Sequence, residues 1–254
     1  MPTRRQFMLD SAALLGAACL PALAADKDAP IRMGYFDSYE PFSFRGGDGA
    51  MRGALVEGMA LVGRNAGYRL DNQGFPWARA QAMVENGSLD GFCTTITKGR
   101  LVYADFAPTP IVSVRFGIYH RADDLRPLEI RSVADMRAFR HGNFIGAGYP
   151  KENLEPDQMQ WLKDEETVLR MIDAGRLDIY VEGEVVTRTK LRQLGLLERF
   201  RFTPAPFLPP VNFCFGLRRS YPDAAAVLAR MEAAAQAARR SGELDAILAA
   251  ATKR

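Results

Sequence analysis

A ten-residue unit that occurs twice is the feature that most constrains the fold. MVENGSLDGF begins at Met83 and MIDAGRLDIY at Met171, 88 residues apart. Each copy carries an apolar pair, an acid and a glycine, and then Leu-Asp leading into an apolar run. A glycine closing a helical stretch supplies the left-handed turn that stops a helix, and the run after it reads as a strand. Two junctions of one design, each a helix feeding a strand, predict two lobes of similar build. The roughly 230 residues after a leader suit two lobes of about 100 each.

The rest of the chain repeats that alternation. IRMGY (31–35) reads as a strand. GALVEGMALVGRNAG sets Leu55, Val56, Met59 and Val62 on one helical stripe and stops at Gly67. YRLDN is a short strand, and PWARAQAMVENG a helix that opens with Pro76 and ends at Gly87. Ser132 with Asp135 predicts a capped helix, as does Ser220 with Asp223, where Pro222 falls in the first turn. Met51, Met59 and Met83 read as core. Strands spaced by helices predict an α/β fold with mostly parallel sheets, and such sheets bind ligands beyond the carboxyl ends of their strands.

Those ends carry contrasting groups. The first copy emerges at Thr94, Thr95, Thr97 and Arg100, the second at Glu182 and Glu184. Alternation along LDIYVEGEV puts Asp178, Tyr180 and Glu182 on one face, with Leu177, Ile179 and Val181 on the other. Facing lobes would then set a guanidinium and hydroxyls against carboxylates, an arrangement that grips a small zwitterion or polar solute. A guanidinium matches a carboxylate through two fixed donors. Tyr39, in a polar loop broken by Pro41, reads as a cleft residue, as does Tyr149 in the second-lobe loop GAGYPKENL. Trp77 lies at a helix start and Arg79 reads as solvated.

Composition excludes several classes. A net charge of +3 and a pI near 8.8, with no basic run, give no nucleic-acid surface. Two histidines, His120 and His141, sit apart from any cysteine cluster and imply no zinc site. No nucleophile–base pair or phosphate loop is present, so neither catalysis nor a cofactor is expected. Cys93 and Cys214 either form one disulfide or are two buried small hydrophobes. Residues 1–25 read as a cleaved leader: paired Arg4 and Arg5, a short apolar stretch and the small residues Ala22 and Ala24. TRRQFM favours twin-arginine export over an ordinary leader, and Gly16 argues against lipidation at Cys19.

GYFDSYEPFSF, GALVEGMALVGRNAGY and PWARAQAMVENGSLDGFCTTITKGRLVYADFAPTPI together resemble the first lobe of the periplasmic solute-binding proteins of ABC transporters, family 3, the amino-acid-binding type. The likeness continues to FGLRRSYPDAAAVLARM and SGELDAIL, with Thr97-Lys98-Gly99-Arg100 as its most specific piece. It implies a two-lobed fold of the type II kind, with 26–116 and 215–254 in one lobe, 117–214 in the other, and hinges near Val114–Tyr119 and Val211–Phe215. It further implies that Arg100 takes a ligand carboxylate, that Tyr39 and Trp77 sandwich the ligand, and that Thr95 is a hydroxyl partner. The family's acid for an α-ammonium falls near Gly183, between Glu182 and Glu184. The implied role is capture of an amino acid or related carboxylate in the periplasm, as a monomer, for delivery to an ABC permease. Alternatives on the same fold are a cyclohexadienyl-dehydratase-like enzyme and a ligand-sensing adaptor.

Overall fold

The computed structural model describes residues 29–154 and 156–253; the expected leader and Cys19 lie outside them. In chain order the elements of the first lobe begin with strand β1 (Ile31–Phe36) and a small hairpin sheet of β2 (Ser38–Tyr39), β3 (Ser43–Arg45) and β4 (Met51–Arg52). Helix α1 (Ala54–Ala66), β5 (Leu70–Phe75), α2 (Trp77–Glu85), β6 (Gly91–Thr95), β7 (Ala104–Phe106) and β8 (Val112–Val114) follow. The second lobe holds β9 (Phe116–Arg121), β10 (His141–Phe144), α3 (Gly148–Asn153), β11 (Met159–Leu162), α4 (Glu165–Asp173), β12 (Ile179–Gly183), α5 (Glu184–Gln193) and β13 (Phe200–Pro204). The chain then returns to the first lobe as β14 (Val211–Arg218), α6 (Ala224–Arg240) and α7 (Glu243–Thr252).

Each lobe is built on one sheet, ordered β5-β1-β6-β14-β7 with β8 beside β14 in the first, and β11-β10-β12-β9-β13 in the second. The two sheets match strand for strand. In the first, β1 lies parallel to β5 and β6, and β14 runs antiparallel to β6. In the second, β10 lies parallel to β11 and β12, and β9 runs antiparallel to β12. The sheets are therefore mixed: a parallel trio from the repeated unit, closed by antiparallel strands that carry the chain between lobes. Only Arg115 separates β8 from β9, and residues 205–210 separate β13 from β14. The expected lobe boundaries fall one residue inside β9 and midway along β14.

The repeated Leu-Asp fixes the amino ends of these strands. Asp90 accepts from the backbone N of Arg32 at 3.0 Å and from its guanidinium at 2.7 and 2.8 Å, while Arg32 Nη2 also donates to Gly87 O. Asp178 accepts from Arg140 N at 2.7 Å and from its guanidinium at 2.8 and 3.0 Å, and Arg140 Nη2 donates to Gly175 O. A second arginine completes each clamp, Arg218 on Asp90 and Arg126 on Asp178. These arginines hold both carboxylates below the usual range, although partial burial opposes them.

Local sequence explains the helix ends. Gly67 closes α1 at φ 81°, a left-handed turn that costs glycine little. Asp164 caps α4 by accepting from Thr167 N at 2.8 Å. Two expected caps differ. Ser132 and Asp135 bond to each other, Asp135 also accepting from Arg131 N, and only a short 3₁₀ turn (Ala134–Ala138) follows. The carboxylate satisfies the turn that precedes it instead of opening an α-helix. Pro222 stays outside α6, because Asp223 adopts φ 53° and turns the chain before Ala224. Cys93 and Cys214 are both free; they sit on adjacent strands, but Cys93 opposes Phe215 and Cys214 opposes Thr94. The two thiols thus leave opposite faces of the sheet, which rules out a bridge. Met33 and Met59 in one lobe and Ile179 and Val181 in the other belong to one continuous apolar cluster.

Candidate functional site

The carboxyl ends of β6 and β12 meet across a cavity of about 60 Å³ between the lobes. Arg100, Tyr39, Trp77 and Thr95 line it from the first lobe, and Glu182 and Tyr149 from the second. Thr97 does not reach it: its hydroxyl is buried and accepts from Arg100 N at 3.3 Å, so it shapes the turn that presents the arginine. Glu184 is exposed at the start of α5 beside Arg188, outside the cavity. Arg79 is exposed and lies over the Phe75 ring.

Arg100 opens a 3₁₀ turn (Arg100–Val102) that follows β6 after residues 96–99, and its side chain reaches back to the strand end at Thr95. Its Nε donates to Gln81 Oε1 at 3.0 Å, and its Nη1 donates to Thr95 O at 2.9 Å and to Thr95 Oγ1 at 2.6 Å. Nη2 reaches only Gly146 O, at 3.5 Å. The Trp77 ring lies 5.3 Å from the guanidinium carbon, and a Cβ on Gly148 would come within 2.9–3.0 Å of the same group. The cation therefore packs against both an indole and a glycine backbone, and a side chain at Gly148 would have to shift it. Only 3% of Arg100 is exposed, and that burial pushes its pKa down to about 10.

Glu182 closes the other side. Its Oε1 accepts from Gly183 N at 2.8 Å and from Tyr39 Oη at 3.1 Å, so a first-lobe phenol binds a second-lobe carboxyl. Tyr180 Oη lies 3.4 Å from Glu182 Oε2 and 3.4 Å from Glu165 Oε1, and Thr187 donates to Glu165 at 3.1 Å. Burial, and then the neighbouring Glu165, push Glu182 up to about 8; burial pushes Glu165 up to about 7, against the opposing pull of Lys190. Among the described residues, no cation bonds to either acid. Within β12 the alternation is as expected, with Ile179 and Val181 in the main core and Tyr180 in the other cluster; Leu177, expected beside Ile179, instead packs with Tyr180, because it precedes the strand and its alternation.

Several residues of the site were not foreseen. Phe36 and Phe144 end β1 and β10, the central parallel strands, and meet across the lobes at 5.9 Å. Phe116 and Phe213, from the two crossing strands, complete the aromatic lining. Gln81 donates to Gly146 O at 3.1 Å, and Glu152 of α3 accepts from Lys98 N at 2.9 Å and Gly99 N at 3.0 Å. Glu40 and Gln193 form a further bond across the lobes. The strand-end rule that singled out Arg100 and Glu182 would have found the phenylalanines had it been applied to β1 and β10.

No curated protein sequence matches the chain. Solved structures do. A histidine kinase sensor domain similar to periplasmic binding proteins has a TM-score of 0.74 at 21% identity, covering 89% of this chain and 97% of that one. The arginine-, lysine-, histidine-binding protein ArtJ from Geobacillus stearothermophilus has a TM-score of 0.70 at 14% identity, covering 89% and 96%. A mutant ArgBP from T. maritima has a TM-score of 0.69 at 17% identity, covering 88% and 95%. Likeness at these identities establishes the shared two-lobed fold. Residues 31–252 match the bacterial extracellular solute-binding proteins, family 3, and the chain belongs to that family.

Proposed function

We propose that this protein captures a small carboxylate-bearing solute, an amino acid or a related acid, between its lobes and delivers it to an ABC permease. The lobes are 26–116 with 215–254 and 117–214, give or take the few residues by which β9 and β14 overrun those limits. The reading places the protein in the periplasm as a monomer, doing no chemistry. One observation carries it: Arg100, a buried cation to which no carboxylate bonds among the described residues, faces Glu182 across an interlobe cavity. Arg100, Tyr39, Trp77, Thr95, Tyr149 and Glu182 are the proposed contacts, and Thr97 supports the turn. Closure then follows from differential affinity, because the ligand touches both walls only when the lobes meet. A thermal-shift panel of amino acids and organic acids tests the proposal. The best hit should lose about 10–100-fold in affinity in Arg100→Ala, the worth of one enclosed charge-assisted bond. Unchanged affinity would remove Arg100 from the site.

A second reading draws on Glu182, whose buried carboxyl keeps its proton near neutrality and suits a general acid. Here the cleft would catalyse an elimination of the cyclohexadienyl-dehydratase kind. Incubation with prephenate or arogenate decides between the two, since product formation at a catalytic rate is incompatible with a binder.

A further inference from the structure

We propose that closing the cleft takes up a proton, held by Glu182 at the seam between the lobes, so that acid shuts this protein and alkali lets it open. The inference builds on the hinged closure of the reading above but needs no solute. A cleft indifferent to pH would leave solute capture standing, and a panel without a hit would leave the proton-linked cleft standing.

The cover over Glu182 comes from both sides of the hinge, and only 3% of the residue is exposed. Tyr180 Oη, Gly183 N and, behind them, Glu165 of α4 belong to the second lobe and travel with it. Tyr39 Oη comes from the first lobe. Its ring belongs to an aromatic block there, 5.8 Å from Phe36, 5.7 Å from Phe42 and 6.2 Å from Phe213. Parting the lobes withdraws that block from Glu182 and admits water; closing them strips the water away. A carboxylate that loses its water needs a countercharge or a proton.

The neighbours of Glu182 favour the proton. Tyr180 Oη contacts Glu182 Oε2 and Glu165 Oε1, each at 3.4 Å, and a phenol has one proton to give. Keeping both bonds requires one carboxyl to donate. Glu165 has Thr187 at 3.1 Å and the pull of Lys190 from α5, so it is the better placed of the two to carry charge. Arg100 shares the cavity from the opposite wall, but its Nε and Nη1 bond to Gln81 and Thr95, and its Nη2 turns to Gly146 O. Tyr149 of α3 lines the same cavity as a neutral hydroxyl, and Tyr119 of β9 donates to Glu184 O.

The sign of the effect follows. Burial, and then Glu165, push Glu182 up to about 8 between closed lobes. Water in the open cleft returns it toward the ordinary carboxylate value of about 4. The closed form therefore has its full advantage below about pH 4 and loses it as pH rises through about 8.

Single-molecule energy transfer between dyes on Val102→Cys and Lys163→Cys, exposed positions on either lobe, reads the ratio of closed to open molecules, since Cys93 and Cys214 are buried. In the otherwise wild-type protein that ratio should fall at least about tenfold between about pH 5.5 and about pH 8.5. In Glu182→Gln, whose amide neither gains nor loses a proton, it should vary less than about threefold. Tyr39→Phe loses one tie between the lobes, so its ratio should be lower at both pH values with the fall retained. A ratio independent of pH in both wild type and Tyr39→Phe, or an equal fall in Glu182→Gln, overturns the inference. Should Glu182→Gln fail to fold, Glu165→Gln takes its place: with the repelling neighbour gone the fall should shrink, and an undiminished fall overturns the inference.

Discussion

The two lobes are alike at one end of their sheets and opposite at the other. At the amino ends, Asp90 and Asp178 make the same set of bonds: the backbone and guanidinium of an arginine at the start of a neighbouring strand, second in β1 for Arg32 and just before β10 for Arg140, with a second arginine alongside. At the carboxyl ends, the first lobe presents Arg100 and the second presents Glu182. The repeated unit thus behaves as a scaffold whose buried ion clamp stays constant, while the residues just past each strand diverge. Stability and recognition are separated along a strand of five residues.

That separation can be broken deliberately. The largest effect is expected at Asp90, whose side chain is 5% exposed and whose second arginine, Arg218, is 16% exposed. Asp90→Ala leaves the mostly buried Arg218 without its carboxylate, while Arg32, 40% exposed, can rehydrate, and should cost about 3 kcal/mol in urea unfolding. Asp178→Ala removes the same bonds, but Arg126 and Arg140 are 53% and 59% exposed and rehydrate. It should cost only about 1–2 kcal/mol. Equal losses would mean that the clamps do not differ in burial as described.

The two ends also respond oppositely to pH. Asp90 and Asp178 titrate below the usual carboxylate range when folded, so their contribution is present above about pH 4 and is lost as pH falls further. Glu182 and Glu165 titrate above that range. Their contribution is full below about pH 4 and fades as pH rises through about 7 and 8. Melting temperature should therefore peak on the acid side of neutrality, and Glu182→Gln should raise stability by on the order of 1 kcal/mol at pH 9 while changing little at pH 5. A variant with the wild-type profile would contradict the raised carboxyl. The smallest effect belongs to Glu152, exposed on α3: Glu152→Ala should cost about 0.5 kcal/mol, and small-angle scattering should show the lobes further apart.

Much of this was legible in the chain itself. Helix, glycine, Leu-Asp and strand recur, and that recurrence located both lobes and both strand ends, and so Arg100 and Glu182. The Leu-Asp repeat was visible, but its purpose was not, because Arg32 and Arg140 lie 58 and 38 residues away and become partners only when parallel strands align. Glu165 reads like any acid favoured at a helix start, yet α4 turns it inward against Tyr180 and Thr187. Thr97 carries the hydroxyl expected of a ligand contact, but the tight turn directs it to the backbone of Arg100. Phe36 and Phe144 look like core residues in one dimension, and only the meeting of two lobes makes them cleft walls. The caps at Ser132 and Ser220 misled because local hydrogen bonds leave only a 3₁₀ turn after the first, and a left-handed Asp223 starts α6 beyond Pro222 at the second.

The most direct test measures the affinity of the best ligand from the panel in wild type, Arg100→Ala and Asp90→Asn by calorimetry. If recognition lives at the carboxyl ends and stability at the amino ends, Arg100→Ala loses about tenfold or more, while Asp90→Asn binds within about threefold of wild type despite a lower melting temperature. Wild-type affinity in Arg100→Ala, or a collapse of binding in the still-folded Asp90→Asn, would contradict it.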